Sequence, residues 1–132
     1  MIYLLDSNAC IGLLRQREPK LMARVQREPP ANIVLCSVVV DELLFGARRS
    51  RKPSAAISQV RTFCAPYVSL PFDDRAADEY SIIRTHLTNR GQLIGHNDLL
   101  IAAIALANGL TLVTHNTAEF SRVPGLLLED WQ

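Results

Sequence analysis

The chain is 132 residues long, 48% hydrophobic and 20% charged, which suits one compact domain with a real core and argues against a disordered or multidomain protein. Fourteen Lys and Arg against thirteen Asp and Glu leave a formal charge of +1, so neither a strongly basic arm nor an acidic tail is the functional device. Any charge-driven activity must come from local clustering.

Ile2 to Leu5 is a short apolar run, too brief for a helix and right for a strand buried on both faces. The surrounding MIYLLDSNACIGLL has no basic segment ahead of its apolar residues and is interrupted by Asp6, so it reads as neither a secretion signal nor an anchor. Asn8 is expected to cap a helix carrying Cys10, Leu13 and Leu14, and Pro19 to open a second one with Leu21, Met22 and Val25. After Pro29-Pro30, Ile33 to Cys36 is the next strand, followed by a helix capped by Ser37 with Val39, Leu43, Leu44 and Ala47 at helical spacing. Ser54 is the expected cap of another helix, and Val68 to Leu70 a third, weaker strand. Asp73 caps the longest helix, whose apolar stripe runs from Ala76 to Leu87 and which ends before Gly91. His96 or Asn97 starts a helix that stops at Asn108-Gly109, then Thr111 to Val113 forms a fourth strand. Leu126 to Leu128 makes a short fifth strand at a sheet edge.

This alternation predicts an α/β sandwich with a mainly parallel central sheet of four to five strands flanked by helices, as one domain over residues 1–132. No apolar run approaches the ~18 residues of a membrane span. Cys10, Cys36 and Cys64 are odd in number, lie in apolar surroundings and lack metal-ligand spacing, so they read as reduced core residues of a cytoplasmic protein. Arg outnumbers Lys twelve to two, a bias that suits bidentate phosphate contact and that a GC-rich genome also produces.

In a parallel sheet the functional crevice lies outside the carboxyl ends of the strands. Asp6 follows strand one, Glu42 lies early in the helix after strand two, Asp98 sits in the first turn of the helix before strand four, and Asn116 follows that strand. An oxygen-only set of this kind suits a hard divalent cation such as Mg²⁺ or Mn²⁺. Each acid also has a structural reading. Asp98 favours the helix dipole, and Asp6 can cap the first helix. Of the neighbours Asp41 and Glu42, helical spacing beside Val38 and Phe45 makes Glu42 the sheltered member. A shared metal satisfies all three acids at once.

The segments LLDSNACIGLL, SVVVDELLFGA, GQLIGHNDLLIAAIALANGLTLVTHNTAEF and PGLLLEDW together resemble the PIN-domain ribonucleases, and among them the VapC toxins of bacterial toxin–antitoxin pairs. The resemblance spans essentially the whole chain and implies a PIN-like three-layer fold. It also implies Mg²⁺-dependent endonucleolytic cleavage of RNA, with tRNA the usual target class, a cognate VapB-like antitoxin, and a homodimer within a larger assembly. By that resemblance Asp6, Glu42 and Asp98 match the catalytic, metal-binding acids. The fourth acidic position falls on Asn116, with Glu119 three residues on as a possible replacement; on a short amphipathic helix, Glu119 is expected to face solvent.

Arg48, Arg49, Arg51 and Lys52 put four positive charges in five residues after the Glu42 helix, which suits a solvated loop, an RNA backbone contact or an antitoxin-docking site. His86, His96 and His115 offer a competing route, metal-free cleavage through the 2′-OH, with His96 and His115 near the proposed site. Two other classes compete. A receiver module or aspartyl-phosphate phosphatase would use Asp6, but Asn8 stands where the phosphatase wants a second Asp, and Lys20 and Lys52 both lie too early for a receiver. A catalytically inactive PIN-like binding domain is favoured only by Asn116.

Overall fold

A computed structural model describes residues Met1–Gln132. Five strands, β1 (Tyr3–Leu5), β2 (Ile33–Cys36), β3 (Val68–Leu70), β4 (Thr111–Val113) and β5 (Leu127–Glu129), form one sheet in the order β3-β2-β1-β4-β5. Every neighbouring pair is parallel; Tyr3 stands beside Ile33 on one side and Thr111 on the other. Seven α-helices connect them: α1 (Ser7–Leu14), α2 (Pro19–Arg27), α3 (Ser37–Arg48), α4 (Pro53–Cys64), α5 (Asp74–Asn89), α6 (His96–Ala107) and α7 (Thr117–Phe120). Helices α1 to α4 pack among themselves and α5 against α6, the grouping that right-handed crossovers on either side of a sheet impose.

The central strands carry the core. Leu4, Leu5, Val34 and Leu35 are fully buried, as a strand covered on both faces requires, and α6 buries Ile101 to Ala105 without a gap. The three alanines of that stretch, Ala102, Ala103 and Ala105, let the helix lie close to its neighbours. At the edges, Val68 on β3 and Leu127 on β5 are exposed, in keeping with the weak, short strands expected there.

Three expected helix caps are corrected. Asn8 lies inside α1, and the cap is Asp6, whose Oδ1 accepts from the Ala9 amide at 2.8 Å. Ser37 is the first residue of α3, with Cys36 in the cap position and no side-chain bond. Ser54 is displaced by Pro53, whose fixed φ and missing N–H suit the first helical position, so Lys52 precedes α4 without capping it. Asp73 does cap α5, its Oδ1 accepting from Ala76 at 3.0 Å. Helices α5 and α6 are followed by Gly91 and Gly109 at φ 63° and 62°, the left-handed conformation that ends a helix at low cost.

The strand order reverses between β1 and β4. Chain connections run outward from β1 through β2 to β3, and then return to β4 and β5, so a crevice opens above the carboxyl ends of β1 and β4. All three cysteines are free; burial pushes the Cys36 thiol up to about 11 and that of Cys10 well above its ordinary value, leaving both as protonated core residues.

Candidate active site

Asp6 stands at that crevice because β1 ends at Leu5 and the ladder runs one step further, the Asp6 amide donating to Val113 O at 3.1 Å. It is 4% exposed. Burial raises its pKa above the ordinary value, with Glu42 and Asp130 adding to the rise, while the Thr114 hydroxyl and the Ala9 amide oppose it by bonding the charged form. The capping and site readings of Asp6 are therefore compatible: one oxygen accepts from α1, and the carboxylate remains in a field of other acids.

Glu42, in the second turn of α3, is half-buried beside an exposed Asp41, the expected division between the two. Its shelter is different from the expected one, since Phe45 is 58% exposed. The partner is Ser7, whose buried hydroxyl donates to Glu42 Oε1 at 2.7 Å across two helices. Nothing local in Asp6-Ser7-Asn8 marks Ser7 as a partner of Glu42, because Ser between Asp and Asn ahead of a helix signals only capping.

Asp98 is half-buried in the first turn of α6, and Glu119 on α7 is turned toward it. The Gly95 amide donates to Glu119 Oε1 at 2.9 Å, and the Asn116 side-chain amide donates to Oε2. A β-carbon added at Gly95 would lie 3.5 Å from Asp98 Oδ2 and 3.7 Å from Glu119 Oε1, so both carboxylates crowd the same side of this glycine. Burial first, then Glu119, Asp6 and Glu42, push Asp98 up to about 6. Glu119 thus faces the site rather than solvent as expected: α7 is only one turn long, and two donors fix its carboxylate inward. Asn116 reaches the acids through Glu119. Its own backbone amide is held by Thr114 Oγ1 at 2.9 Å.

Asp6, Glu42, Asp98 and Glu119 therefore share one electrostatic neighbourhood, and none of them takes part in a salt bridge. A cleft of about 470 Å³, lined by Asp41, Glu42, Phe45 and Asn97, opens beside them between α3 and the start of α6. A larger hollow of about 620 Å³ lies between α2 and the tail after β5, where Lys20, Arg24, Arg27 and Trp131 line it, but it holds none of these four acids. No three carboxylate, imidazole or thiol groups converge closely enough to hold one ion among themselves. Chemically the set still fits a hard cation, because Mg²⁺ keeps several waters and takes only one or two carboxylates directly.

The remaining candidates lie outside this cluster. Arg48, Arg49, Arg51 and Lys52 are exposed at the end of α3, although Arg49 stacks over Phe45 at 5.1 Å from the ring centroid, one turn from Glu42. His115 Nδ1 pairs with Asp130 at 2.9 Å, His96 Nδ1 with the Tyr80 hydroxyl at 3.2 Å, and His86 Nδ1 with Arg90 at 3.2 Å. Each histidine thus pairs with a different neighbour, none of them a second histidine.

Comparison with known proteins bears on the family. The PIN domain family profile matches residues 3–126. Ribonuclease VapC2 of Rickettsia felis is 36% identical over 132 residues, covering 99% of this chain and 98% of its own length. The tRNA(fMet)-specific endonuclease VapC of Salmonella typhimurium is 32% identical, covering 98% and 97%. Among solved structures, a chain of DNA-bound VapBC from Salmonella typhimurium superposes with a TM-score of 0.95 at 31% identity, covering 100% of this chain and 99% of its own. A chain of VapBC2 from Rickettsia felis, bound to a promoter DNA fragment, gives 0.90 at 33% identity with full coverage of both. These matches leave no room for a receiver module or an aspartyl-phosphate phosphatase. With its fold, its acids in order and relatives matched along their whole length, the chain belongs to the PIN-domain family, among the VapC ribonucleases.

Proposed function

We propose that this protein is the toxin of a toxin–antitoxin pair and acts as a Mg²⁺-dependent endoribonuclease on tRNA, with Mn²⁺ as a substitute ion. The observation that carries this reading is the group of four carboxylates, Asp6, Glu42, Asp98 and Glu119, gathered at a parallel-sheet switch point with no protein cation to balance them. Asp6 and Asp98 are the residues that would hold the ion directly, with Glu42 acting through its water shell and Glu119 standing in for the acid missing at Asn116. A bound divalent cation supplies Lewis acidity, acidifying water and offsetting the charge that builds on the scissile phosphoryl group.

The chain's own residues then have separable roles. Ser7 fixes the rotamer of Glu42, leaving Oε2 to orient the attacking water. Gly95 and Asn116 clamp Glu119, so that its charge bears on Asp98. Asp98, raised to about 6 chiefly by burial, must lose its proton before it can ligate, so metal binding weakens as pH falls. Inactivity as a binding-only PIN domain rested on Asn116, and the inward Glu119 removes that ground.

The antitoxin assignment draws on the solved relatives, which are VapBC complexes. On this chain the exposed group Arg48, Arg49, Arg51 and Lys52 is proposed to dock it, because Arg49 over Phe45 lies at the mouth of the acidic cleft. The remaining parts of the proposal are residues 1–132 as a single domain, a homodimer in solution, and action in the cytoplasm; no helix is long and apolar enough to cross a membrane. The test is incubation of the purified chain with total bacterial RNA, with and without Mg²⁺, followed by sequencing of fragments. Cleavage confined to tRNA and to the Mg²⁺ arm supports the reading; no cleavage in either arm rejects it.

A further inference from the structure

Phe72, Tyr80 and His96 form an aromatic ladder on the rim of the acidic site. Phe72 precedes α5, Tyr80 lies in its second turn and His96 opens α6. Ring centroids are 5.8 Å apart between Phe72 and Tyr80 and 6.2 Å between Tyr80 and His96, with interplanar angles of 89° and 82°. The Arg84 guanidinium lies 5.8 Å from the Tyr80 centroid, one turn further along α5.

Burial does not account for this arrangement. Phe72 is 37% exposed, and His96 and Arg84 are exposed as well. Packing the chain onto the start of α5 explains Phe72 against Tyr80 but leaves His96 unexplained, since an exposed imidazole adds little to the core. Yet its orientation is fixed by the 3.2 Å bond between Tyr80 Oη and His96 Nδ1. The ladder also begins beside the acids: His96 follows Gly95, whose amide holds Glu119, and precedes Asp98 by two residues.

We propose that this ladder is a base-stacking platform that grips one unpaired nucleotide of an RNA strand beside the bond to be cut, with Arg84 at its outer end. This rests on the reading of the site as a ribonuclease. RNA segments with unstacked bases are recognised by aromatic faces and guanidinium planes, and a base offers such a face whatever its sequence. The patch has a single cation, too few charges to act as a phosphate track alone.

The test measures binding in EDTA, so that the strand stays whole, by fluorescence anisotropy of a labelled mixed-sequence single-stranded RNA and of an equal-length strand with abasic riboses. His96→Ala should weaken the intact strand about fivefold or more and leave the abasic strand unchanged. Phe72→Leu, which keeps the apolar contact with Tyr80, should also weaken only the intact strand. Unchanged affinity for the intact strand in both variants overturns the platform. Equal losses on both strands overturn it in favour of a phosphate contact, and weaker antitoxin binding with RNA affinity intact overturns it in favour of a protein contact. Failure of the two readings is distinguishable. His96-dependent binding by a chain that cuts no RNA keeps the platform and rejects the nuclease, whereas cleavage with ladder variants as tight as wild type does the reverse.

Discussion

Glu119 and Asp98 flank the backbone of Gly95, with the Gly95 amide bound to Glu119 Oε1 and the Asp98 carboxylate on the same side of that residue. Burial first, and this pairing next, raise Asp98 to about 6.

That rise fixes a pH dependence. A carboxyl whose folded pKa lies above its unfolded value stabilises the fold when protonated, so its contribution is present below about 3.8 and lost as pH rises through about 6. The metal-free protein should therefore show a melting temperature that falls across this window relative to Asp98→Asn, which does not titrate there. Added Mg²⁺ should restore stability most at the upper end, because only the ionised acid ligates. Scanning calorimetry of both proteins between pH 4 and pH 7 checks this; parallel curves contradict it.

Asp6→Asn should abolish growth arrest on expression of the chain alone while leaving the fold intact. Asn is as good an N-cap as Asp, so the bond to Ala9 survives and only the charge is lost. Asp6→Ala should lose both, at about 1 kcal/mol of stability for the cap. Equal arrest by wild type and Asp6→Asn at matched protein levels counts against the site.

Ser7→Ala should reduce the cleavage rate by about 10- to 100-fold, the usual effect of removing a group that orients an active-site carboxylate. Ser7→Thr keeps the hydroxyl and should recover most of it. A change in substrate affinity with no change in turnover would show that Ser7 does not act through Glu42.

Replacing Arg48, Arg49, Arg51 and Lys52 together with Ala should leave RNA cleavage intact and weaken neutralisation by the antitoxin. If these side chains bind RNA phosphates instead, affinity falls at low salt and the slope of log affinity against log salt flattens by up to ~3, at about 0.7 for each phosphate no longer neutralised. Titrating both partners against the quadruple variant separates the two roles, and no change in either returns the cluster to a solvated loop.

The fold was legible because its signals are local. Short apolar runs ending in Asp or Ser, Gly91 and Gly109 after helical stretches, and the stripe on α5 each mark an element without help from the rest of the chain. Asp6, Glu42 and Asp98 were legible for the same reason, each lying at a strand end or in an early helical turn. The supporting bonds were not. Ser7 to Glu42 spans 35 positions and Gly95 to Glu119 spans 24, and no periodicity within α1 or α7 encodes a partner on another element. Caps failed at Ser37 and Ser54 because a buried strand end and a proline took precedence over side-chain capping.

The chemistry of the cut ends tests the central claim most directly. RNA digested by the purified chain in Mg²⁺ should carry 5′-phosphate and 3′-hydroxyl termini, and digestion should cease in EDTA and in Asp6→Asn. Fragments ending in 2′,3′-cyclic phosphate, formed equally well in EDTA, would contradict the carboxylate site and assign the reaction to the histidines.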